Sequence, residues 1–192
     1  MDTTEQTTLV IIAAILVVAL LAWYFINQRR SHSLQKKFGD EYDRTVDDVG
    51  KRGKAEAALL EREKRVKSLE IHPLTLSQRE TFSTEWTEVK ALFVDSPAEA
   101  TLHADRLLAN MMQARGYPMA DFDRRFEDLT VEHAGVARHY REGHILAERQ
   151  TRGEASTEDL RQALKHYEAL FDELVCDARP DDELRQQRAV TH

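Results

Sequence analysis

An all-α fold is predicted, made of a single N-terminal transmembrane helix, a charged helical stalk and a small bundle of about five helices. Three observations lead there. An unbroken apolar run, LVIIAAILVVALLAWYFI, occupies residues 9–26 and contains no charge, no Gly and no Pro. Outside it the chain is rich in Ala, Leu, Glu and Arg, with only seven glycines and four prolines in 192 residues, a composition that favours helix. Beyond residue 72 the apolar residues recur at helical spacing, the signature of amphipathic helices that share a core.

The 18-residue run gives roughly 27 Å of helix at about 1.5 Å per residue, close to the hydrocarbon thickness of a bilayer. A lipid-facing segment must satisfy its backbone internally, so helix is its only workable state. Residues 9–27 are assigned as the span, with 1–8 as a short extracytoplasmic segment. Asp2 and Glu5 precede the run, whereas Arg29, Arg30, Lys36 and Lys37 follow it with no acidic residue between them. This bias places the C-terminal side in the cytoplasm and the N-terminus outside. Trp23 and Tyr24 lie at the basic end, where amphipathic rings settle at headgroup depth and long basic side chains reach phosphate. Against a cleaved signal peptide stand the absence of Lys and Arg before the run and its continuation into Trp-Tyr-Phe instead of a small-residue cleavage site.

Residues 28–71 are read as a basic juxtamembrane segment and a charged stalk. More than half of residues 40–70 are charged, acidic ones first and basic ones later, an order that suits the helix dipole. Gly50 and Gly53 weaken the middle by roughly 1 kcal/mol each relative to Ala and mark a break. Leu59, Val66 and Leu69 have heptad-like spacing, but Arg62 interrupts them, leaving at most a short seam for weak self-association.

The bundle is assigned to residues 72–176. His72-Pro73 ends the stalk. Ser77 with Glu80 reads as a capping box before the stripe Phe82, Trp86, Val89, Phe93. Ser96-Pro97 restarts the chain, and a second helix through Leu107, Leu108, Met111 and Met112 stops at Gly116. A short helix carries Phe122, Phe126 and Leu129. Thr130 or His133 opens another, running through Ala137, Tyr140, Ile145 and Ala147 to Gly153. Ser156 to Asp159 caps the last, with Leu160, Leu164, Tyr167, Phe171 and Leu174. The tail 177–192 has too few large apolar residues to be held down and is expected to be flexible.

Net charge −7 and a pI near 5.6 argue against a nucleic-acid partner, which needs a concentrated basic face. Cys176 is the only cysteine, excluding an intrachain disulfide and any cysteine metal cluster. Phosphate-binding glycine loops are absent. Histidines are dense towards the end of the chain, with His133, His139, His144 and His166 in the final third. His139 and His144 are about 140° apart around a helix, a poor spacing for two ligands. No catalytic, cofactor-binding or metal residue is therefore assigned, and no cofactor is expected. The rival is a hydrolase or metal-dependent site built on His144 and Glu148 with His103 or His166 from another helix. Arg115-Gly116-Tyr117-Pro118 reads first as a helix terminator and turn, and alternatively as a loop presenting Arg115 and Tyr117 to a partner.

The strings FGDEYDRTV (38–46), HPLTLSQR (72–79), FVDSP (93–97), RGYPMADF (115–122) and GEASTEDLRQAL (153–164) resemble an uncharacterised bacterial family of short proteins with an N-terminal hydrophobic segment. The resemblance covers most of residues 38–175. It implies a bacterial source, hence the inner membrane, and a shared helical domain carrying FGxEYDR, RGYP and GEASTEDLR; it implies no activity. The expected role is a membrane-anchored scaffold or protein-interaction module facing the cytoplasm, with the bilayer and an unidentified protein as partners. The alternatives are the histidine–carboxylate enzyme and an extracytoplasmic, envelope-associated protein.

Overall fold

Glycines at positive φ divide the first part of the chain into separate helices. The computed structural model describes the backbone of residues 3–119 and 121–176, and the side chains of 15–119 and 121–176 apart from 23 and 27. The described residues form α1 (Thr3–Phe38), α2 (Asp40–Val49), α3 (Arg52–Lys67), α4 (Leu76–Asp95), α5 (Pro97–Ala114), α6 (Phe122–Glu132), α7 (Ala134–Thr151) and α8 (Thr157–Cys176), with no strand among them. The predicted all-α fold is thus observed, and α4 to α8 are the five helices expected of the bundle. The expected flexible tail, 177–192, lies outside the described residues.

The helix α1 runs without interruption through the apolar stretch and into the basic flank. Among the described side chains from Ile15 to Ile26 the large apolar ones are exposed, for example Val18 at 65% and Ile26 at 67%. Among the described residues no helix is long and apolar enough to cross a membrane. The side chains of 9–14 and of Trp23, which belong to the predicted span, lie outside them. The described apolar part alone, Ile15 to Ile26, is about 18 Å long at 1.5 Å per residue.

The chain divides into two compact units, Met1–Leu59 and Leu60–His192, a boundary inside α3 and not at the predicted 71/72. In the first unit, Gly39 (φ 53°) and Gly50 (φ 70°) end α1 and α2 in a conformation that a side chain resists. The expected break in the charged stretch is therefore present. Within this unit Ser31 of α1 and Tyr42 of α2 both donate to Glu56 of α3, so the first segments of the predicted charged stalk fold against one another around buried Leu34, Phe38, Tyr42 and Ala55. Of the postulated self-association seam, Leu59 and Val66 are 0% and 2% exposed, and Leu69 is half-buried.

In the second unit α7 packs on α8, α4 on α5, and α5 on α8. The shared core includes Leu108, Met111, Leu129, Tyr140, Tyr167 and Leu170, each contributing roughly 1.5–3 kcal/mol on burial. Trp86 and Phe171 stack at 4.8 Å between ring centroids, joining α4 to α8. Phe82 and Phe93, the ends of the predicted α4 stripe, pack only partly against this core. The α4 capping box is made by Thr75 and Gln78, two residues ahead of the predicted Ser77 and Glu80. Leu76 rather than the serine begins the helix because Thr75 Oγ1 accepts the Gln78 amide at 3.2 Å. Pro97 does open α5. Thr130 lies inside α6 with its hydroxyl on the Glu127 carbonyl, leaving His133 alone at the start of α7. Ser156 and Asp159 cap α8 reciprocally. Ile145 is 49% exposed and is not a core residue.

Close approach of α7 and α8 depends on Gly143. A Cβ there would lie 2.7 Å from the Tyr167 ring and 3.3 Å from the Ala163 carbonyl oxygen, and Tyr167 is fully buried. Ala is the better helix former by about 1 kcal/mol, but overpacking a fixed ring costs about 1–3 kcal/mol. Gly143→Ala is therefore expected to destabilise by up to about 2 kcal/mol, read as a lower urea midpoint of the purified full chain in mild detergent.

Candidate functional site

Four groups of side chains carry chemistry, two in each unit. In the first, Arg29, Arg30, Lys36 and Lys37 are exposed, as is Tyr24; the Trp23 side chain lies outside the described residues. A groove of about 440 Å³ runs along Phe25, Gln28, Arg29, His32 and Gln35 to Arg52. It sets an apolar ring beside two guanidinium groups at the basic end of the exposed apolar stretch.

Next to it lies the Glu56 cluster. Tyr42 Oη donates to Glu56 Oε1 at 2.8 Å and Arg52 Nε at 3.0 Å, with Ser31 Oγ on the same oxygen. Burial opposes ionisation of Glu56, yet the hydrogen bonds from Ser31, Tyr42 and Arg52 outweigh it, and the pKa falls below its ordinary value. Tyr42 is pushed up, first by burial and then by its bond to Glu56. A lowered carboxylate pKa stabilises the fold above the unfolded-state value, and that stability is lost as pH falls through the folded one. Acidification below about pH 4.5, the free glutamate range, is expected to speed hydrogen exchange in α2 and α3. In Glu56→Gln this pH dependence is expected to be weaker.

On the second unit, Tyr167 Oη donates to Asp105 Oδ1 at 3.2 Å, and His144 sits between Asp105 (3.7 Å) and Glu148 (3.6 Å). Phe122 stacks on the His144 ring with centroids 3.5 Å apart. Burial, then the nearby Asp105 charge, pushes the Tyr167 phenol far up, so it is neither a base nor a nucleophile at neutral pH. Tyr140, whose hydroxyl accepts from Arg125 Nε at 3.1 Å, is pushed up to about 12, mainly by burial. The predicted rival site is brought together only in part: His144 meets Glu148 and Asp105, not His103 or His166.

His166 instead joins His139 and Glu142. Its Nδ1 lies 3.0 Å from His139 Nδ1 and 3.3 Å from Glu142 Oε2. All three residues are half-buried, and a donor atom from each falls within 4.8 Å of the others. Burial first of all lowers the His166 pKa, against the opposing pull of Glu142. This group escaped sequence reasoning, which placed His166 with His144 and Glu148 instead of with His139 and Glu142. The available signal was the three-residue spacing of His139 and Glu142, which puts both on one face of a helix.

Arg115 and Tyr117 do not form an interaction loop. Each is 2% exposed; Arg115 donates to the Leu174 carbonyl at 3.4 Å, and the Tyr117 amide closes on the Met112 carbonyl at 3.0 Å. The turn is a structural closure, with both side chains turned inward. Cys176 is exposed at the end of α8. An open cleft of about 540 Å³ lies between α4 and α5, with Val89, Leu92 and Leu107 beside Glu85, His103 and Arg106. No family model matches this chain, and no match is found among the curated proteins or the solved structures compared with it.

Proposed function

We propose that this chain is a membrane-tethered helical interaction module: α1 anchors it by a single pass, and the bundle of α4 to α8 meets a partner protein at the cytoplasmic face. The observation that carries the reading is the row of exposed apolar side chains on α1 from Ile15 to Ile26, continuing in sequence the uncharged residues 9–14. A helix apolar on all sides is stable in water only when buried, and a bilayer supplies that burial. Arg29, Arg30, Lys36 and Lys37 at its end favour the cytoplasmic side and contact with anionic headgroups, each worth about 1 kcal/mol near such a surface. The groove beside Phe25 and Arg29 suits a headgroup phosphate.

Pull-down from detergent-solubilised cells, comparing the full chain with one lacking residues 73–176, tests the module. Partners retained only by the full chain are expected; identical partner sets would reject the reading. Orientation is read from Cys176, the only cysteine. A membrane-impermeant maleimide is expected to label it in permeabilised spheroplasts and not in intact ones.

A further inference from the structure

We propose that His139, Glu142 and His166 form a binding site for a single divalent transition-metal ion, zinc above others, that clamps α7 to α8. Two imidazole nitrogens and one carboxylate oxygen converge from two helices, with separations of 3.0 Å and 3.3 Å along the chain of contacts. Ligand atoms around a tetrahedral zinc, bound at about 2.0–2.1 Å, stand about 3.3 Å apart. The two observed spacings are close to the edges of such a tetrahedron, and the third, between His139 and Glu142, is within 4.8 Å.

His139 Nδ1, His166 Nδ1 and Glu142 Oε2 stand side by side, and one cation would accept a lone pair from each. The donor set selects the ion: two imidazoles suit zinc and its neighbours, whereas calcium and magnesium require oxygen cages. Three protein ligands leave a fourth position for water, and the half-buried setting gives that water a path in. Preorganisation comes from the backbone. Gly143, next to Glu142, lets α7 approach Tyr167, next to His166, without the 2.7 Å clash a Cβ would make, so packing sets the distance across which the ligands face one another. The other Glu142 oxygen lies 3.9 Å from Arg138 Nε.

The test uses the full chain in detergent, purified with a histidine-free tag, stripped with a chelator and titrated with zinc chloride by calorimetry. One zinc per chain with a raised melting temperature is expected. In His139→Asn, Glu142→Gln and His166→Asn the affinity is expected to fall at least about tenfold with circular dichroism unchanged, while His103→Asn binds as the parent does. Cobalt(II) is expected to give visible bands of four-coordinate geometry, lost in His166→Asn. No saturable binding up to about 100 μM zinc, or equal affinity in the parent and His166→Asn, would overturn the proposal. The tether reading rests on other residues and is untouched by either result.

Discussion

Gly116→Ala is expected to be among the most damaging single substitutions in the bundle, costing about 3–4 kcal/mol. Two effects add. Gly116 holds φ at 99°, where an L side chain carries about 1–3 kcal/mol of strain. A Cβ there would also lie 2.3 Å from the Glu70 carbonyl oxygen, well inside contact distance. That oxygen is backbone and cannot swing aside. The passing segment is pinned next to it by the His72 amide, which donates to the Arg115 carbonyl at 2.9 Å. The substitution must open this closure, and with it the buried positions of Arg115 and Tyr117. In thermal melts of the full chain in mild detergent, a drop of roughly 10 °C or more is expected. A shift of under about 2 °C would mean that the turn relaxes freely.

Arg65→Met is expected to cost about 3 kcal/mol, because it strands a buried carboxylate. Asp128 is fully buried, and Arg65 reaches it at 2.6 Å while also pairing with Glu127 at 3.0 Å. Arg62 adds a further pair to Glu127 at 3.2 Å. Removing the guanidinium leaves Asp128 with the desolvation cost of its charge and no compensation. The double variant Arg65→Met, Asp128→Leu removes both charges and is expected to regain most of the loss. Urea denaturation of the two variants checks this, and equal stability of single and double variants would contradict it.

These two sites show what the sequence exposes and what it hides. Gly116 is readable as a terminator, since glycine after a run of helix formers with proline two residues on is a local signal. The identity of its neighbour, Glu70, depends on a contact 46 residues away in the sequence and leaves no local trace. Arg65 and Asp128 look like ordinary charges on solvated faces. Only the docking of the end of α3 on α6 makes them a buried pair, which is why a stalk was the natural reading of that stretch. Helix order, the α5 proline start and the α8 cap were legible because each rests on a few adjacent residues. The α4 cap was misplaced by two positions because Thr75-Gln78 and Ser77-Glu80 carry the same capping pattern, and only the backbone chooses between them. The histidine cluster combines a local part, His139 with Glu142, and a remote one, His166. The local part was visible; the remote one needed the Gly143–Tyr167 packing that sets α7 against α8.

The most direct measurement of the tether is alkaline carbonate extraction of membranes from cells that make the full chain. The account expects the protein to stay in the membrane pellet, and expects a variant with Leu16, Val18 and Leu20 each replaced by Arg to appear in the supernatant. Recovery of the unaltered chain in the carbonate supernatant would contradict it.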